Sequence, residues 1–396
     1  MGESRIPFNK PYMSGRETEY IAEAVASGKI CGNGIFTKKC QAFFEEKYGF
    51  KKALLTSSCT DALEMAAILT GVGPGDEVII PSYTFVSTAL AFVRQGATIV
   101  FADSRADNPN IDTAKIEALV TPRTKVIVPV HYAGVACEMD EIMDIAKRHN
   151  LLVVEDAAQA IDSYYTGKDG VRRPLGSIGH LGCFSFHETK NIIAGEGGML
   201  TINDERFMAR SEIIWEKGTN RSQFFRGEVN KYGWVDIGSS FLPSELQSAF
   251  LWAQIENIER IQSKRIEHWN KYRAAIEPLQ EKLHCRLPDI PQCNNAHMFY
   301  VVFDSLEHRT KFVEFMRERS ILCVFHYLSL HSSPFYAEKH DGRALPESDR
   351  YSDTLLRLPM YYELPVEEVI AAIREFAAIP RQKNEKQVQY RADRSE

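Results

Sequence analysis

A lysine stands at the end of a short apolar run. Leu181-Gly182-Cys183-Phe184-Ser185-Phe186 leads through His187-Glu188-Thr189 to Lys190-Asn191, and the stretch closes with Gly195-Glu196-Gly197-Gly198. The run reads as a buried strand with aromatics at alternate positions. It delivers Lys190 into a loop of small and polar residues. An ammonium is costly to desolvate, so a lysine placed there is rarely packing material. Desolvation lowers its pKa and leaves an amine able to form a Schiff base with a carbonyl. An isolated lysine of this kind is more often a solvated loop tip, so the neighbouring residues decide.

Several of them have complementary chemistry. Asp156 ends the apolar run Leu151 to Glu155. A carboxylate at that depth is costly unless it meets a cation. A protonated pyridine nitrogen is such a cation, and this pairing makes pyridoxal phosphate (PLP) an electron sink. Asp is also a favoured helix N-cap, and for Asp156 taken alone the two readings weigh about equally. Phe85 follows Glu77 to Pro81 and suits stacking on a flat ring, or packing in a core. Thr56-Ser57-Ser58-Cys59-Thr60 joins a strand to a helix. Free N–H groups and the helix dipole favour a phosphate there, while capping by Ser57 or Thr60 is the alternative. Ser185 is a further phosphate donor. His131 reads most simply as a hydrogen-bonded histidine at a strand end. Cys59 reads as a small buried thiol, since no base is placed beside it.

The elements that must position these residues alternate. Strands are expected at Ala53 to Leu55, Glu77 to Pro81, Ala97 to Ala102, Lys125 to Val130, Leu151 to Glu155 and Leu181 to Phe186. Helices are expected at Glu17 to Ser27, Phe36 to Tyr48, Asp61 to Leu69, after Phe85 to Val93, Asn110 to Val120, Met139 to His149 and Glu205 to Lys217. Short β-branched strands alternating with helices indicate an α/β fold with a mostly parallel sheet. Ligands of such sheets sit at the carboxyl ends of the strands. Ser57, Phe85, His131, Asp156 and Lys190 all fall there. Gly218 to Lys231 reads as an ordered loop, and Ser244 to about Ala275 as one long helix linking to a second domain. That domain carries strands at Met298 to Phe303 and Ile321 to Phe325, and helices at Glu307 to Arg319 and Val366 to Phe376. The expected division is 1–250 for a large cofactor-binding domain, 251–380 for a smaller α+β domain, and 381–396 for a disordered polar tail.

Composition narrows the class. The chain has 396 residues, 44% of them hydrophobic, and a net charge of −6. It carries no basic footprint for nucleic acid and no apolar run long enough to cross a bilayer. Residues 1–10 lack a signal-peptide pattern. Eight scattered cysteines with no C-x-x-C pair argue against disulfides or a metal site and for the cytoplasm. No G-x-G-x-x-G follows the first strand, which counts against a nicotinamide enzyme.

Phe184 to Asn191, Gly195 to Gly198 and Val154-Glu155-Asp156-Ala157-Ala158-Gln159 resemble the signatures of the DegT/DnrJ/StrS sugar aminotransferases. Pro81 to Thr88 and Val324-Phe325-His326-Tyr327 fit as well, and the resemblance spans roughly Ile6 to Ala378. It implies PLP-dependent transferase fold type I, like aspartate aminotransferase. It also implies transfer of an amino group from L-glutamate to C4 of a nucleotide-linked 4-keto-6-deoxy sugar, with pyridoxamine phosphate as the intermediate cofactor form. By the same resemblance Lys190 is the Schiff-base lysine and proton shuttle, and Asp156 holds the pyridinium. Phe85 stacks on the ring, Gln159 contacts its edge, and Cys59, Thr60 and Ser185 hold the phosphate. Family members complete the phosphate site with an Asn from a second subunit; here Ser240 stands at that place and Leu242 replaces an Arg. Ser240 can still donate, and a homodimer with shared sites is implied. His187, Lys217, Arg221, Arg226 and His326 are candidate substrate contacts. Related sugar dehydratases carry His at the lysine position, so Lys190 favours transamination. A non-catalytic PLP-binding protein is disfavoured by the complete set of Asp156, Lys190 and phosphate donors.

Overall fold

The computed structural model describes residues 5–290 and 295–380. Its first strands are β1 (Ala53–Thr56), β2 (Glu77–Pro81), β3 (Thr98–Ala102), β4 (Thr124–Ile127) and β5 (Leu152–Asp156). A small hairpin follows, β6 (Tyr164–Thr166) and β7 (Arg172–Pro174), and then β8 (Leu181–Ser185) and β9 (Gly198–Ile202). Seven of these form one sheet in the order β1-β9-β8-β5-β4-β2-β3. Neighbours from β8 through to β3 pair in parallel. β9 runs antiparallel to both β8 and β1. With β9 alone reversed, β1 points the same way as β8, and six carboxyl ends share one edge of the sheet. Every residue of β1, β2, β8 and β9 is buried, as expected of strands covered on both faces.

A second sheet is antiparallel and contains β10 (Cys285–Arg286), β11 (Phe299–Phe303) and β12 (Leu355–Leu358). Its core joins Phe299 and Leu356 to Trp269 and Tyr272 of helix Ile258–Ile276 and to Phe312 of helix Leu306–Glu318.

Four expectations are corrected. The long helix is two, Glu245–Ile255 and Ile258–Ile276. The Asn257 amide donates to the Ala253 carbonyl at 2.9 Å, the acceptor its own backbone N–H would need, and that N–H turns to Gln254 instead. The stretch 218–231 is not all loop, because Arg221–Phe225 is helical. Ile321 to Phe325 is not a strand: Ile321 bridges to Ile6 and Val324 to Arg357, so two different partners are met at single residues and no ladder propagates. The helix after β1 starts at Cys59, and its cap is Ser58, whose hydroxyl accepts from Asp61 N at 3.1 Å, rather than Ser57 or Thr60. The expected tail, 381–396, lies outside the described residues.

The N-terminal loop is tied in by one carboxylate. Glu245 is buried and accepts from the backbone N–H of Gly34 at 2.9 Å, Phe36 at 2.8 Å and Thr37 at 3.1 Å. It thereby satisfies the first turn of helix Ile35–Tyr48, which has no side-chain cap of its own.

Gly198 sets the distance between β9 and the turn after β1. A Cβ there would lie 2.4 Å from the Ser58 carbonyl carbon and 2.5 Å from Cys59 N. Both are backbone atoms with nowhere to go. Gly198→Ala is expected to destabilise the protein by about 1–3 kcal/mol and to weaken cofactor retention. Thermal unfolding with and without added PLP measures both effects.

Candidate active site

Asp156 closes β5 and is buried. Its Oδ2 accepts from Thr88 Oγ1 at 2.7 Å and its Oδ1 from Ala158 N at 3.1 Å. Thr88 is itself 3.0 Å from the Thr84 hydroxyl. Turns, not a helix, follow Asp156, so the N-cap reading does not apply. Burial raises the Asp156 pKa above the ordinary aspartate range, and the Thr88 and Ala158 bonds only partly offset it. The carboxylate is supplied with two neutral donors and is still short of positive charge.

Lys190 lies in the loop between β8 and β9. That loop is fixed by its own backbone. Phe186 N donates to Gly197 O at 2.8 Å, Ala194 N to Phe186 O at 2.7 Å and Lys190 N to His187 O at 2.8 Å. Burial, aided by the charge of Arg357, lowers the Lys190 amine to about 8, against the opposing pull of Cys59 and Asp156. Near neutral pH a useful fraction is therefore the free base.

These residues fit PLP. A cationic ring nitrogen is what the Asp156 carboxylate lacks. Phe85 is 54% exposed, so it is not a core aromatic, and its ring stands 5.8 Å from that of Tyr327. Gln159 is held at both ends of its amide, accepting from Ala133 N at 2.6 Å and donating to the Tyr327 hydroxyl at 3.1 Å. For a phosphate, the first turn of helix Cys59–Thr70 offers N–H groups that have no carbonyl one turn back. Thr60 and Ser87 hydroxyls lie 2.8 Å apart beside it, and Ser185 ends the adjacent β8. Burial, with Asp156 nearby, pushes the Cys59 thiol well up, so Cys59 is not a nucleophile.

A second group faces this one. His326 accepts on Nδ1 from Arg357 Nη1 at 3.0 Å. Its carbonyl takes the Tyr132 hydroxyl at 3.0 Å and the Tyr83 hydroxyl as well. Burial, Arg357 and Lys190 hold His326 down to about 4, so it is neutral. His187 shapes the turn before Lys190, its Nδ1 lying 2.9 Å from Thr189 Oγ1. Asn191 donates to Gln262 Oε1 at 2.7 Å and to Asn295 O at 2.6 Å. His131 takes no part. Its Nδ1 accepts from Cys137 N at 3.2 Å and its Nε2 donates to Glu155 at 2.8 Å.

Four candidates are not gathered here. Arg221 lies 3.8 Å from Glu216. Arg226 pairs with Glu228 at 2.6 Å and Glu212 at 2.9 Å. Both line a cavity of about 740 Å³ with Lys52, Glu45 and Trp215, whose walls include neither Asp156 nor Lys190. Lys217 and Ser240 are exposed, and Ser240 bridges to Glu216. Sequence reasoning in turn missed Thr88, Tyr327 and Arg357 as site residues. The signal for Arg357 was a lone charge inside the apolar run Leu355–Leu358.

Comparison with known proteins agrees with this geometry. The profile of the DegT/DnrJ/EryC1/StrS aminotransferase family matches residues 11–376. The spore coat polysaccharide biosynthesis protein SpsC of Bacillus subtilis is 32% identical over 382 residues, which are 93% of this chain and 96% of that protein. GDP-perosamine synthase of Caulobacter vibrioides is 36% identical over 273 residues, 68% of this chain and 70% of that one. Among solved structures, S. venezuelae DesV in complex with a ketimine intermediate matches with a TM-score of 0.82 and 29% identity, over 92% of this chain and 95% of that one. An aminotransferase from Psychrobacter cryohalolentis matches with a TM-score of 0.84 and 26% identity, over 92% and 97% of the two chains.

Two outcomes are expected from the electrostatics. The Lys190 amine of cofactor-free protein is half neutral near pH about 8. The rate of covalent PLP capture should therefore rise with pH through that value and level off above it, whereas an ordinary lysine would still be accelerating. Stopped-flow absorbance across pH reads this. Asp156→Asn keeps the shape but removes the charge. It should weaken PLP binding and slow amino transfer by about a hundredfold or more, as cofactor titration and steady-state assays would record.

Proposed function

The chain belongs to the DegT/DnrJ/EryC1/StrS aminotransferase family, and from that premise we propose that it converts dTDP-4-dehydro-6-deoxy-D-glucose to dTDP-4-amino-4,6-dideoxy-D-galactose, with L-glutamate as donor. It is a PLP-dependent sugar aminotransferase. The observation that carries the site is the convergence of Asp156 and Lys190 from the ends of β5 and the β8–β9 loop. The choice of sugar rests on likeness. His131 to Asp140, Thr219 to Gly227 and Asn295 to Tyr300 resemble the dTDP-4-amino-4,6-dideoxygalactose transaminase, which serves surface polysaccharide synthesis. Two of those segments touch the site's supports: in the first, Ala133 N donates to Gln159 Oε1 at 2.6 Å; in the last, Asn295 Nδ2 donates to Gln159 O at 2.8 Å and His297 Nδ1 is 2.9 Å from Asn191 Oδ1.

Bound PLP supplies an electron sink for the carbanion left when a proton departs from carbon. The chain does the rest. Asp156, oriented by Thr88 and Ala158, would hold the proton on the ring nitrogen. Lys190, as free amine, takes the proton from the α-carbon of L-glutamate and in the second half returns one to C4 of the sugar. The N–H groups of Cys59 and Thr60, with the Ser185 hydroxyl, would anchor the phosphate, while Phe85 and Gln159 would hold the ring. His326, neutral, and His187 border the space left for substrate.

A homodimer gives the remaining candidates a role. Phe225, Trp234 and Ile237 are 69%, 83% and 56% exposed, an apolar stretch that a second copy would cover. Ser240, Lys217, Arg221 and Arg226 belong to the same stretch and would then serve the neighbouring copy's phosphate and the sugar's diphosphate. No helix among the described residues is long and apolar enough to cross a membrane. We place the reaction in the cytoplasm.

The test has two stages. L-Glutamate alone should change the visible spectrum of the PLP-loaded protein. The dTDP-4-keto sugar should then restore it and yield a product whose C4 amine is axial by NMR. An equatorial amine would assign the gluco epimer, and no reaction with the dTDP sugar but turnover with another nucleotide sugar would reassign the substrate. Lys190→Ala should lose about a thousandfold or more in turnover; near wild-type cycling would remove Lys190 from the mechanism.

A further inference from the structure

The edge of the small antiparallel sheet gathers three metal-ligating side chains. His284 follows the short helix Gln280–Leu283 and directly precedes β10. Asp304 directly follows β11. Cys285 pairs with Phe303 in the ladder, so His284 and Asp304 stand opposite each other one step further on. Their backbones are joined there, Asp304 N donating to His284 O at 2.8 Å. The third residue, His308, lies four residues after Asp304, in the first turn of helix Leu306–Glu318. Its backbone N donates to the capping hydroxyl of Ser305 at 3.2 Å. Three elements thus fix three backbones, and none of the three residues belongs to the cofactor site.

The side chains converge. One ligand atom from each lies within 4.8 Å of the other two. His284 Nδ1 is already 3.7 Å from Asp304 Oδ2, and the two imidazoles stack with centroids 4.1 Å apart and 16° between their planes. An ion pair of His284 with the half-exposed Asp304 is worth little and gives His308 nothing to do. The His308 Nδ1 is buried and meets no hydrogen-bond partner, which a chain tolerates at few places. A metal ion would answer both observations at once.

We propose that His284, Asp304 and His308 form a binding site for a divalent transition-metal ion, zinc foremost, which ties the edge strand β10 to β11 and to helix Leu306–Glu318. Two imidazoles and one carboxylate select zinc and its neighbours over magnesium or calcium, which prefer oxygen ligands alone. Around a tetrahedral zinc the ligand atoms stand about 3.3 Å apart, from bonds of about 2.0–2.1 Å, so the group must close by about 1 Å. Stacked rings cannot both aim a lone pair at one ion. One must turn about its Cβ–Cγ bond, a torsion with a broad minimum, and the His284 side chain, 35% exposed, has the room. Asp304 supplies the negative charge that a cation at the first turn of a helix requires. Solvent reaches Asp304 and His284, so water completes the coordination. The chain's cysteines, whose scatter spoke against a metal site, are not used.

The test uses the full chain loaded with PLP, carrying no histidine tag and freed of metal with EDTA. Calorimetric titration with zinc chloride should show one site per chain, and the midpoint of thermal unfolding should rise with added zinc. His284→Gln, Asp304→Asn and His308→Gln should each weaken that site about 100-fold or more, since loss of an outer-shell partner alone costs 10- to 100-fold, and each should abolish the rise. Cobalt chloride in place of zinc should add a visible band at longer wavelength than the cofactor's, lost in the same variants. His308→Cys keeps a ligand atom and should retain the cobalt signal; it also serves if the glutamine variant does not fold. Amino transfer should stay at the wild-type rate in all four variants. Zinc binding that survives the three ligand-removing substitutions would place the ion elsewhere and overturn the proposal. Uptake only at millimolar zinc would mark an adventitious ion and overturn it too.

Discussion

One buried carboxylate at the end of a parallel strand organises the site. β5 carries two acids in succession, and the pleat sends them to opposite faces. Glu155 is satisfied by the protein: Gly176, Ile178 and Gly179 N–H groups donate at 2.5–2.7 Å, and His131 adds a fourth donor. Asp156 receives one hydroxyl and one N–H, and burial lifts its pKa. The same strand thus holds one acid whose needs the chain meets and one whose needs it leaves to a ligand. The first fixes the loop 176–179 behind the sheet. The second creates a demand for a cation, and Lys190 does not meet it, because no bond joins the two and Lys190 itself is driven toward neutrality.

The lysine can be delivered only because one strand runs backwards. If β9 continued the parallel order, the chain leaving β8 would need a long crossover to the far end of the sheet. An antiparallel β9 instead lets 186–197 stay at the carboxyl edge, where its backbone bonds hold Lys190. Its first residue is Gly198, which allows β9 to press against Ser58 and Cys59. The first turn of helix Cys59–Thr70 and the lysine loop are therefore set by one close backbone contact, which couples the stability of that edge to the geometry of the site.

What the sequence showed and what it hid follow from the range of the interactions. The parallel strands are short apolar runs between turn residues, a local signal, and the chemistry-bearing residues sit at their ends, so the sheet edge could be assembled from the sequence. β9 was concealed because its start is a glycine whose role is contact with Ser58, far away in sequence. The break at Asn257 depends on one side-chain bond that apolar periodicity does not register. Ile321 to Phe325 has the composition of a strand, yet its neighbours offer one bridge each, and the real third strand is β12, whose arginine made it look unlike one. The cations of 217–226 carry no local signal of which site they serve.

The electrostatics of the pocket come from few side chains. Lys190 and Arg357 are its cations and Asp156 a buried acid, and burial, with those cations adding to it, holds His326 and His297 neutral. The chain's other basic side chains near the large cavity are engaged with Glu212, Glu216 and Glu228, so they add little charge to this pocket from within the same copy. On the proposed dimer they would add it from outside.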